Sequence, residues 1–204
     1  MEVFPVSEVD SVVYSDVLSS SDTTYVNGYA AVDLGLSVKW ATCNVGADSP
    51  EDYGNYYAWG ETETKDSYTS SSSVTYGVEM DDIAGDAEYD AATANWGGSW
   101  RMPTRDEMKE LVDSCTWERT TQDEVNGYLV TGSTGNSIFL PPAGYRSGTS
   151  HYHASPGYYW GSTPDSISIY TAYSMCHNGT YSNYRYEGLT VRPVSEGPCK
   201  SGAK

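Results

Sequence analysis

The aromatic residues of this chain are almost all tyrosine or tryptophan, with 19 Tyr and 6 Trp against 2 Phe. Rings of these two kinds pack through their apolar face and form hydrogen bonds through their polar tip when they are buried. We therefore predict a fold that is held together by amphipathic rings. The length of 204 residues suits one sizeable core and is short for two, which predicts a single domain between two tails.

The chain is strongly acidic, with a formal net charge of −17. Lys and Arg form no cluster, so DNA, RNA and anionic membranes are disfavoured as partners. The acidic residues are unevenly placed, because residues 141–194 contain only Asp165 and Glu187 against three arginines. A binding face built from this part of the chain is expected to be close to neutral.

The beginning of the chain carries no targeting signal that we can identify. Residues 1–5 are acidic and lack an apolar run, and no stretch reaches transmembrane length. We expect that this chain contains no signal peptide and is made in a cytosol. It could act outside a cell by one of two routes, either because a leader has been removed or because it leaves the cell on a virus particle. Residues 1–23 predict an N-terminal attachment segment or tail, in which residues 9–14 could form a strand.

Four cysteines are present, at Cys43, Cys115, Cys176 and Cys199. None of them has the spacing of a zinc site. Two interpretations of Cys43 and Cys115 stay open, a disulfide in an exported protein or two buried thiols in a protein made in the cytosol.

Two helices are predicted, after strands around residues 31–34 and 36–40 and a polar loop over residues 62–73. Residues 83–95 are rich in alanine and are followed by a glycine stop. The second helix follows the capping box at residues 104–107. Its apolar face has helical spacing and consists of Met108, Leu111, Val112 and Cys115.

Further strands are predicted in the second half of the chain. Residues 128–131 and 137–140 flank a glycine-containing loop and predict a hairpin. Over residues 166–176, small polar and tyrosine side chains alternate with an apolar face. The last predicted strand is 189–192, and residues 196–204 predict a flexible C-terminal tail. The apolar face of the alternating segment comprises Ile167, Ile169, Tyr173 and Met175.

Six strings of residues occur in an order that resembles a known family. They are residues 32–47, 56–61, 100–104, 139–146, 157–160 and 191–194. Together they are similar to the paralogous surface-protein domain common in gut Bacteroidetes and their phages. The resemblance implies an α+β, C-type-lectin-like fold over residues 24–195, with two short helices around small antiparallel sheets and long ordered loops.

That fold is shared with formylglycine-generating enzymes and with the variable proteins of diversity-generating retroelements. In the variable proteins, template adenines are mutated during reverse transcription, so Asn codons near the C-terminus become codons for Tyr, Ser, His, Asp, Ile or Cys. Here all three histidines and nine tyrosines lie within residues 145–186. Tyrosine supplies rigid contact area in antibody loops, whereas Ser and Asn supply adaptable hydrogen bonds.

The resemblance implies a displayed, variable set of ligand-binding residues and a fixed scaffold between them. The displayed set is His151, His153, Asp165, Ser166, Ser168, Tyr170, Ser174, Cys176, His177, Tyr181, Ser182 and Tyr184. The scaffold set is Trp160, Tyr173, Met175, Leu189, Val191 and Arg192.

The implied function is ligand binding, as a receptor-binding protein or adhesin at a phage tail-fibre tip. Its ligand would be a protein or glycan on a bacterial surface, bound by a homo-oligomer such as a trimer. One alternative is a non-diversified cell-surface adhesion module of the same fold. Another is a formylglycine-generating-type oxidase, which is disfavoured because the position that should pair with Cys176 is Tyr181, so two thiolates cannot bind copper. No catalytic residue is predicted.

No metal or other cofactor is predicted. An acidic run could hold Ca²⁺ but lacks the spacing of an EF-hand loop, which favours a solvated face and first turn of the first helix. The three histidines could bind zinc, but no Cys or carboxylate is placed beside them in the sequence. The acidic run consists of Asp82, Asp86, Glu88 and Asp90.

Overall fold

The computed structural model describes residues 23–152 and 157–196. The predicted attachment segment up to residue 22, its strand at residues 9–14, His153, Cys199 and residues 197–204 of the predicted tail lie outside the described residues. None of the helices in the described part has the length and apolarity needed to span a membrane.

Thirteen strands and two helices are found in the described residues. The helices are α1, Ala91–Trp96, and α2, Arg105–Ser114. The strands are β1 Thr23–Val26, β2 Tyr29–Val32, β3 Val38–Ala41, β4 Trp100–Arg101, β5 Thr116–Gln122, β6 Val125–Thr131, β7 Ser137–Leu140, β8 Tyr145–Ser147, β9 Ser150–Tyr152, β10 Tyr159–Pro164, β11 Thr171–Cys176, β12 Gly179–Tyr184 and β13 Val194–Glu196.

The strands form four small sheets in which neighbouring strands are antiparallel. Five strands make the largest sheet, in the order β1-β2-β3-β13-β4. Three sheets are smaller, β5-β6-β7, β8-β9 and β10-β11-β12. The predicted class, α+β with two short helices and small antiparallel sheets, is therefore confirmed. Strand β13 inserts between β3 and β4, so the end of the described chain is part of the sheet in which it begins.

The second helix follows the sequence prediction closely. Thr104 is its N-cap and accepts a hydrogen bond from the backbone N–H of Glu107, whose side chain in turn accepts from the N–H of Thr104 at 2.8 Å. Arg101 holds the same carboxylate with two hydrogen bonds of 2.6 and 2.8 Å. Met108 and Leu111 are fully buried, whereas Val112 and Cys115 are half-buried, so part of the predicted apolar face packs into the core.

The first helix is shorter than predicted, because it begins at Ala91 and not near residue 83. Asp90 is its N-cap and also accepts from the N–H of Gly85 and of Met102, both at 2.9 Å. Asp82 and Asp86 each accept from the backbone N–H two residues further on. Such hydrogen bonds compete with those of a helix. The acidic run therefore forms turns before α1, and its last residue, Asp90, is the N-cap of this helix.

The interior contains two hydrophobic clusters. The first core surrounds Trp59 and Trp160, and the second core contains Trp40 and Met108. Two tryptophan nitrogens of the first core have backbone acceptors, since Trp59 donates to the Gly161 carbonyl and Trp160 to that of Tyr57, each at 2.9 Å. The prediction of a core built from amphipathic rings is confirmed for these residues.

Arg192 is fully buried and connects strands of different sheets. Its guanidinium donates to Asn44 Oδ1 at 2.8 Å, to the carbonyls of Ala41 and Thr42, and to that of Phe139 at 3.0 Å. Neutral acceptors satisfy its donors, as a buried polar group requires. The prediction that Arg192 belongs to the scaffold is consistent with this position.

One of the predicted strands needs correction, and the predicted hairpin is confirmed. The hairpin around residues 132–136 is present as β6 and β7. Residues 189–192 form only isolated bridges, such as Tyr57 with Leu189, and the last strand is β13. Of the two interpretations of Cys43 and Cys115, the disulfide is not formed and the buried thiols are only partly found, because both cysteines are free and half-buried.

Candidate functional site

The sheet β10-β11-β12 lies between the two cores and positions most of the predicted display residues. Helix α2 packs against all three strands, and Met175 of the central strand β11 joins Met108 in the second core. On the opposite face, Trp160 and Ala172 belong to the first core. The central strand is therefore covered on both sides.

Two residues predicted to be displayed are buried for this reason. Ser174 is 0 % exposed and Cys176 is 3 % exposed. The Ser174 hydroxyl donates to Asn183 Oδ1 at 2.7 Å, and the Cys176 thiol donates to Asn178 Oδ1 at 2.8 Å. Burial raises the pKa of the Cys176 thiol. The prediction of display is wrong for both, because other parts of the chain cover the face that alternation assigned to solvent.

The predicted strand over residues 166–176 is shorter than expected, because its first part is a loop organised by Asp165. The carboxylate accepts from the N–H of Ile167 at 2.9 Å and from the hydroxyls of Thr171 at 3.0 Å and Ser182 at 2.6 Å. Burial raises the pKa of Asp165, but these hydrogen bonds outweigh burial and leave it lowered. Ile167 is 91 % exposed, so it is wrong to place it on an apolar core face.

Two further predicted residues lie in the same loop. Ser166 is exposed, and Ser168 is half-buried with its hydroxyl accepting from the N–H of Tyr170 at 3.2 Å. Ile169 is 41 % exposed and does not face the core. The loop connecting β10 to β11 thus presents side chains of both kinds to solvent.

The two histidines within the described residues, His151 and His177, are held by separate parts of the fold. His151 Nε2 lies 2.9 Å from the carbonyl oxygen of Ala143, and its ring meets Tyr56 edge-on. His177 stacks on Tyr128 with ring centroids 4.6 Å apart. Neither is a freely displayed side chain. Within residues 23–152 and 157–196, no group of three or more His, Cys, Asp or Glu side chains is arranged to hold a metal ion.

A first tyrosine cluster consists of Tyr76, Tyr170, Tyr184 and Tyr186. The rings of Tyr184 and Tyr186 stack with centroids 5.3 Å apart, and Tyr76 lies 5.0 Å from Tyr170 and 5.3 Å from Tyr186. Tyr170 and Tyr184 are 47 % and 48 % exposed. Three segments of the chain supply this cluster.

A second tyrosine cluster consists of Tyr145, Tyr152, Tyr158 and Tyr181. Tyr145 and Tyr152 are paired across the hairpin β8-β9 and stack at 4.8 Å. Tyr158 meets Tyr145 at 6.1 Å and Tyr181 at 6.5 Å, both nearly perpendicular. The Tyr181 hydroxyl donates to Asn178 Oδ1 at 2.9 Å. The two clusters together are called the tyrosine surface below.

Arg185 positions the backbone under the first tyrosine cluster. It is 1 % exposed, and its guanidinium carbon lies 4.4 Å from the centroid of the Trp59 ring. It donates to the carbonyls of Thr75 at 3.2 Å, Val78 at 2.7 Å and Thr171 at 3.1 Å. The segments carrying Tyr76 and Tyr170 are thereby joined by one buried cation.

Of the predicted set, Tyr170 and Tyr184 belong to the first tyrosine cluster and Tyr181 belongs to the second, and Ser182 is exposed on β12. Five further members of the tyrosine surface were missed by the sequence prediction. The signal for four of them was the tyrosine-rich composition of residues 145–186, whereas the remaining one comes from a distant segment. The missed residues are Tyr76, Tyr145, Tyr152, Tyr158 and Tyr186.

Three phenols of this surface, those of Tyr145, Tyr158 and Tyr186, are neutral hydrogen-bonding groups. Burial is the largest cause that raises the pKa of Tyr145, Tyr158 and Tyr186. Their hydroxyls stay protonated at neutral pH, so these three residues offer aromatic area and hydroxyl donors. No protein-family model, curated protein or solved structure matches the chain.

Proposed function

We propose that the protein binds a ligand through the tyrosine surface, as a receptor-binding protein or adhesin with a C-type-lectin-like fold. The observation that carries the proposal is that eight tyrosine rings form two clusters within which rings contact one another, while four of the eight, Tyr152, Tyr170, Tyr181 and Tyr184, are at least 40 % exposed. Exposed aromatic patches of this kind mark interaction sites, and tyrosine is enriched among the residues that dominate binding energy.

The topology supports the proposed fold. Two short helices accompany small antiparallel sheets, and β13 returns to the sheet that contains β1. Between β3 and α1 the chain runs through long loops that are fixed by buried side chains such as Tyr68 and Thr75. A scaffold with its loops tied down in this way can carry different side chains on a fixed surface.

Diversification by a retroelement is part of the proposal, and the separation of exposed from buried positions makes it specific. Template adenines should correspond to the codons of Tyr170, Tyr181, Ser182 and Tyr184. Sequencing the DNA beside the gene, together with a search for a reverse transcriptase and a near-copy of codons 145–194, checks this. The codons of buried residues such as Ser174 should show no template adenine substitutions. Absence of a near-copy would replace this proposal by the non-diversified surface-adhesion module.

Binding itself is tested on cells. Fluorescently labelled protein is expected to bind gut Bacteroidetes cells, and replacement of Tyr170, Tyr181 and Tyr184 by Ala should remove binding with little change in melting temperature. Tyr25→Ala is the matched control, because Tyr25 is 74 % exposed on β1 and lies outside the tyrosine surface. Equal loss of binding in the control, or unfolding of the triple variant, would contradict the assignment of the site.

The proposed place of action is the tip of a phage tail fibre, with several copies of the chain acting together. Mass spectrometry of purified phage particles would detect the protein there, and sedimentation equilibrium would measure its oligomeric state. The oxidase alternative predicts copper-dependent oxidation of a cysteine-containing peptide. We expect no such oxidation, since Cys176 is buried as a thiol and shares its acceptor Asn178 with the Tyr181 hydroxyl.

A further inference from the structure

A cavity of about 450 Å³ lies beside the hairpin β8-β9. Its volume is in the range of sites that hold small molecules. Arg146 of β8 and His151 of β9 line the cavity and are paired across the hairpin. Tyr145 and Tyr152 form the neighbouring pair, and successive side chains of a strand point to opposite faces. The cavity therefore lies on the other face of the hairpin from the stacked rings of the second tyrosine cluster.

The walls of this cavity are fixed by hydrogen bonds to the main chain. The Tyr56 hydroxyl donates to the Ala143 carbonyl at 2.6 Å, and the Tyr68 hydroxyl donates to the Tyr56 carbonyl at 2.5 Å. Tyr68 and Gly148 exchange two backbone hydrogen bonds of 2.8 and 2.7 Å. Both tyrosines line the cavity and are buried. The site is thus formed before a ligand arrives, which reduces the cost of binding.

Arg146 brings a positive charge into the cavity. Its guanidinium carbon lies 5.7 Å from the centroid of the Tyr56 ring and 5.9 Å from that of the Tyr68 ring, which is within the range of cation–π attraction. None of the ion pairs found in residues 23–152 and 157–196 includes Arg146. A guanidinium that is held by ring faces and has no ion pair can use its N–H groups to bind an incoming anion.

The cavity contains two further charged side chains. Lys65 forms an ion pair with Glu61 and donates to the Ser72 carbonyl at 2.7 Å, so its charge already has a partner. Asp66 is exposed and takes part in none of the ion pairs of the described chain. A guanidinium and a carboxylate that are not paired with each other therefore line the same cavity.

We infer that this cavity binds an acidic sugar, such as a hexuronic acid, whose carboxylate is held by the guanidinium of Arg146. A planar carboxylate accepts two parallel hydrogen bonds from an arginine. Asn55, Thr64 and Asp66 also line the cavity, and their amide, hydroxyl and carboxylate groups can bond to the hydroxyls of the sugar ring. The inference goes beyond the tyrosine surface and does not depend on it.

The lining favours an acidic sugar over an acidic peptide or a phosphate. Apart from Gly54, each residue that lines the cavity has a polar side chain, which suits a ligand that carries several hydroxyls. The acidic side chain of a peptide has a carboxylate but no hydroxyls, so it would leave these polar groups without partners. Asp66 can accept hydrogen bonds from sugar hydroxyls, whereas it repels the second negative charge of a phosphate.

The test is an NMR titration of the isotope-labelled full chain with methyl β-D-glucuronide. We expect shifts in the backbone signals of Lys65, Asp66 and Arg146. Methyl β-D-glucoside, which keeps the ring hydroxyls but lacks the carboxylate, should bind at least about tenfold more weakly. Arg146→Gln should weaken glucuronide binding by at least about tenfold, whereas Arg119→Gln, at an exposed position on β5, should leave it unchanged.

Four outcomes would overturn the inference. They are absence of shifts at the cavity, equal binding of the glucuronide and the glucoside, unchanged glucuronide binding in a folded Arg146→Gln variant, and binding of Nα-acetyl-glutamate amide or inorganic phosphate as tightly as the glucuronide. The last result would assign the cavity to acidic peptides or to phosphate. If Arg146→Gln does not give a folded spectrum, the comparison of the two sugars on the unmodified protein decides. Cell binding by the tyrosine surface is measured separately, so failure of either proposal is recognised on its own.

Discussion

The buried tyrosines and the exposed tyrosines make different kinds of contact with the same type of side chain. Tyr56, Tyr68 and Tyr159 are buried, and each hydroxyl donates to a backbone carbonyl of a different segment. Tyr170 and Tyr184 are almost half exposed and contact other rings. In the interior the hydroxyl joins segments of the chain through a hydrogen bond, whereas at the surface the rings contact one another. The same residue type thus contributes to stability in one region and is available for binding in the other.

The largest expected difference concerns removal of a whole ring. Tyr159→Ala should lower the free energy of unfolding by about 3–5 kcal/mol, because it opens a cavity beside fully buried neighbours. Tyr184→Ala should change it by less than about 0.5 kcal/mol, as is usual for surface positions. Urea unfolding of both variants measures the two values. A similar loss in both would mean that the surface rings are part of the core.

Removal of the hydroxyl alone is the next largest test. Tyr68→Phe leaves the buried Tyr56 carbonyl, now 2.5 Å from the Tyr68 hydroxyl, without this donor, which costs about 1–3 kcal/mol. Tyr170→Phe should stay within about 0.5 kcal/mol of the unmodified protein. Thermal and urea unfolding compare the pair, and the distinction fails if both variants lose the same stability.

Substitution of two glycines that have the same φ angle separates the effect of backbone strain on stability from the effect of a displaced tyrosine ring on binding. Gly77 and Gly85 both have φ of +80°, but a Cβ at Gly77 would lie 3.2 Å from Tyr170 Cε1, whereas one at Gly85 would meet nothing within 4 Å. Each change to Ala should cost about 1–2 kcal/mol through the left-handed backbone. Only Gly77→Ala should also weaken cell binding, since it displaces the Tyr170 ring. Equal binding by both variants would show that the position of this ring is unimportant.

The smallest effect expected is a difference in pH dependence between two carboxylates. The lowered pKa of Asp165 gives stability that is present above its ordinary value of 3.8 and is lost as the pH falls through the folded pKa. The pKa of Glu187 is raised, so its contribution is present below 4.5 and is lost as the pH rises through the folded pKa. Asp165→Asn should therefore lower the melting temperature mainly at neutral pH. Glu187→Gln should raise the melting temperature at neutral pH relative to the melting temperature at acid pH. Melting curves of both variants across this range measure the two effects, and a change in the opposite direction would contradict the assignment.

How far the sequence predicts the fold depends on how local the determining contacts are. The capping box of α2 lies within four residues and was identified correctly. The start of α1 was placed too early, because Asp82 and Asp86 bind nearby backbone N–H groups in competition with a helix that their sequence also permits. Local patterns can indicate a helix without revealing which of two local hydrogen-bonding schemes prevails.

The candidate site was predicted in part. Alternation along β11 correctly indicated two unlike faces, but it could not indicate that the first core covers the face of Ser174 and Cys176. Tyr76 was missed because only the tertiary fold brings it to Tyr170. A pattern within one strand carries no information on which distant segment lies over it.

The clamp formed by Arg185 has a consequence for mutational tolerance. Its guanidinium recognises the carbonyls of Thr75, Val78 and Thr171, and every amino acid supplies a carbonyl of this kind. A loop whose path is fixed through its main chain keeps that path when its side chains are exchanged. The hydrogen bonds of Arg185 therefore do not depend on which side chains these residues carry, and substitutions at neighbouring exposed positions can change the surface without changing the path of the main chain.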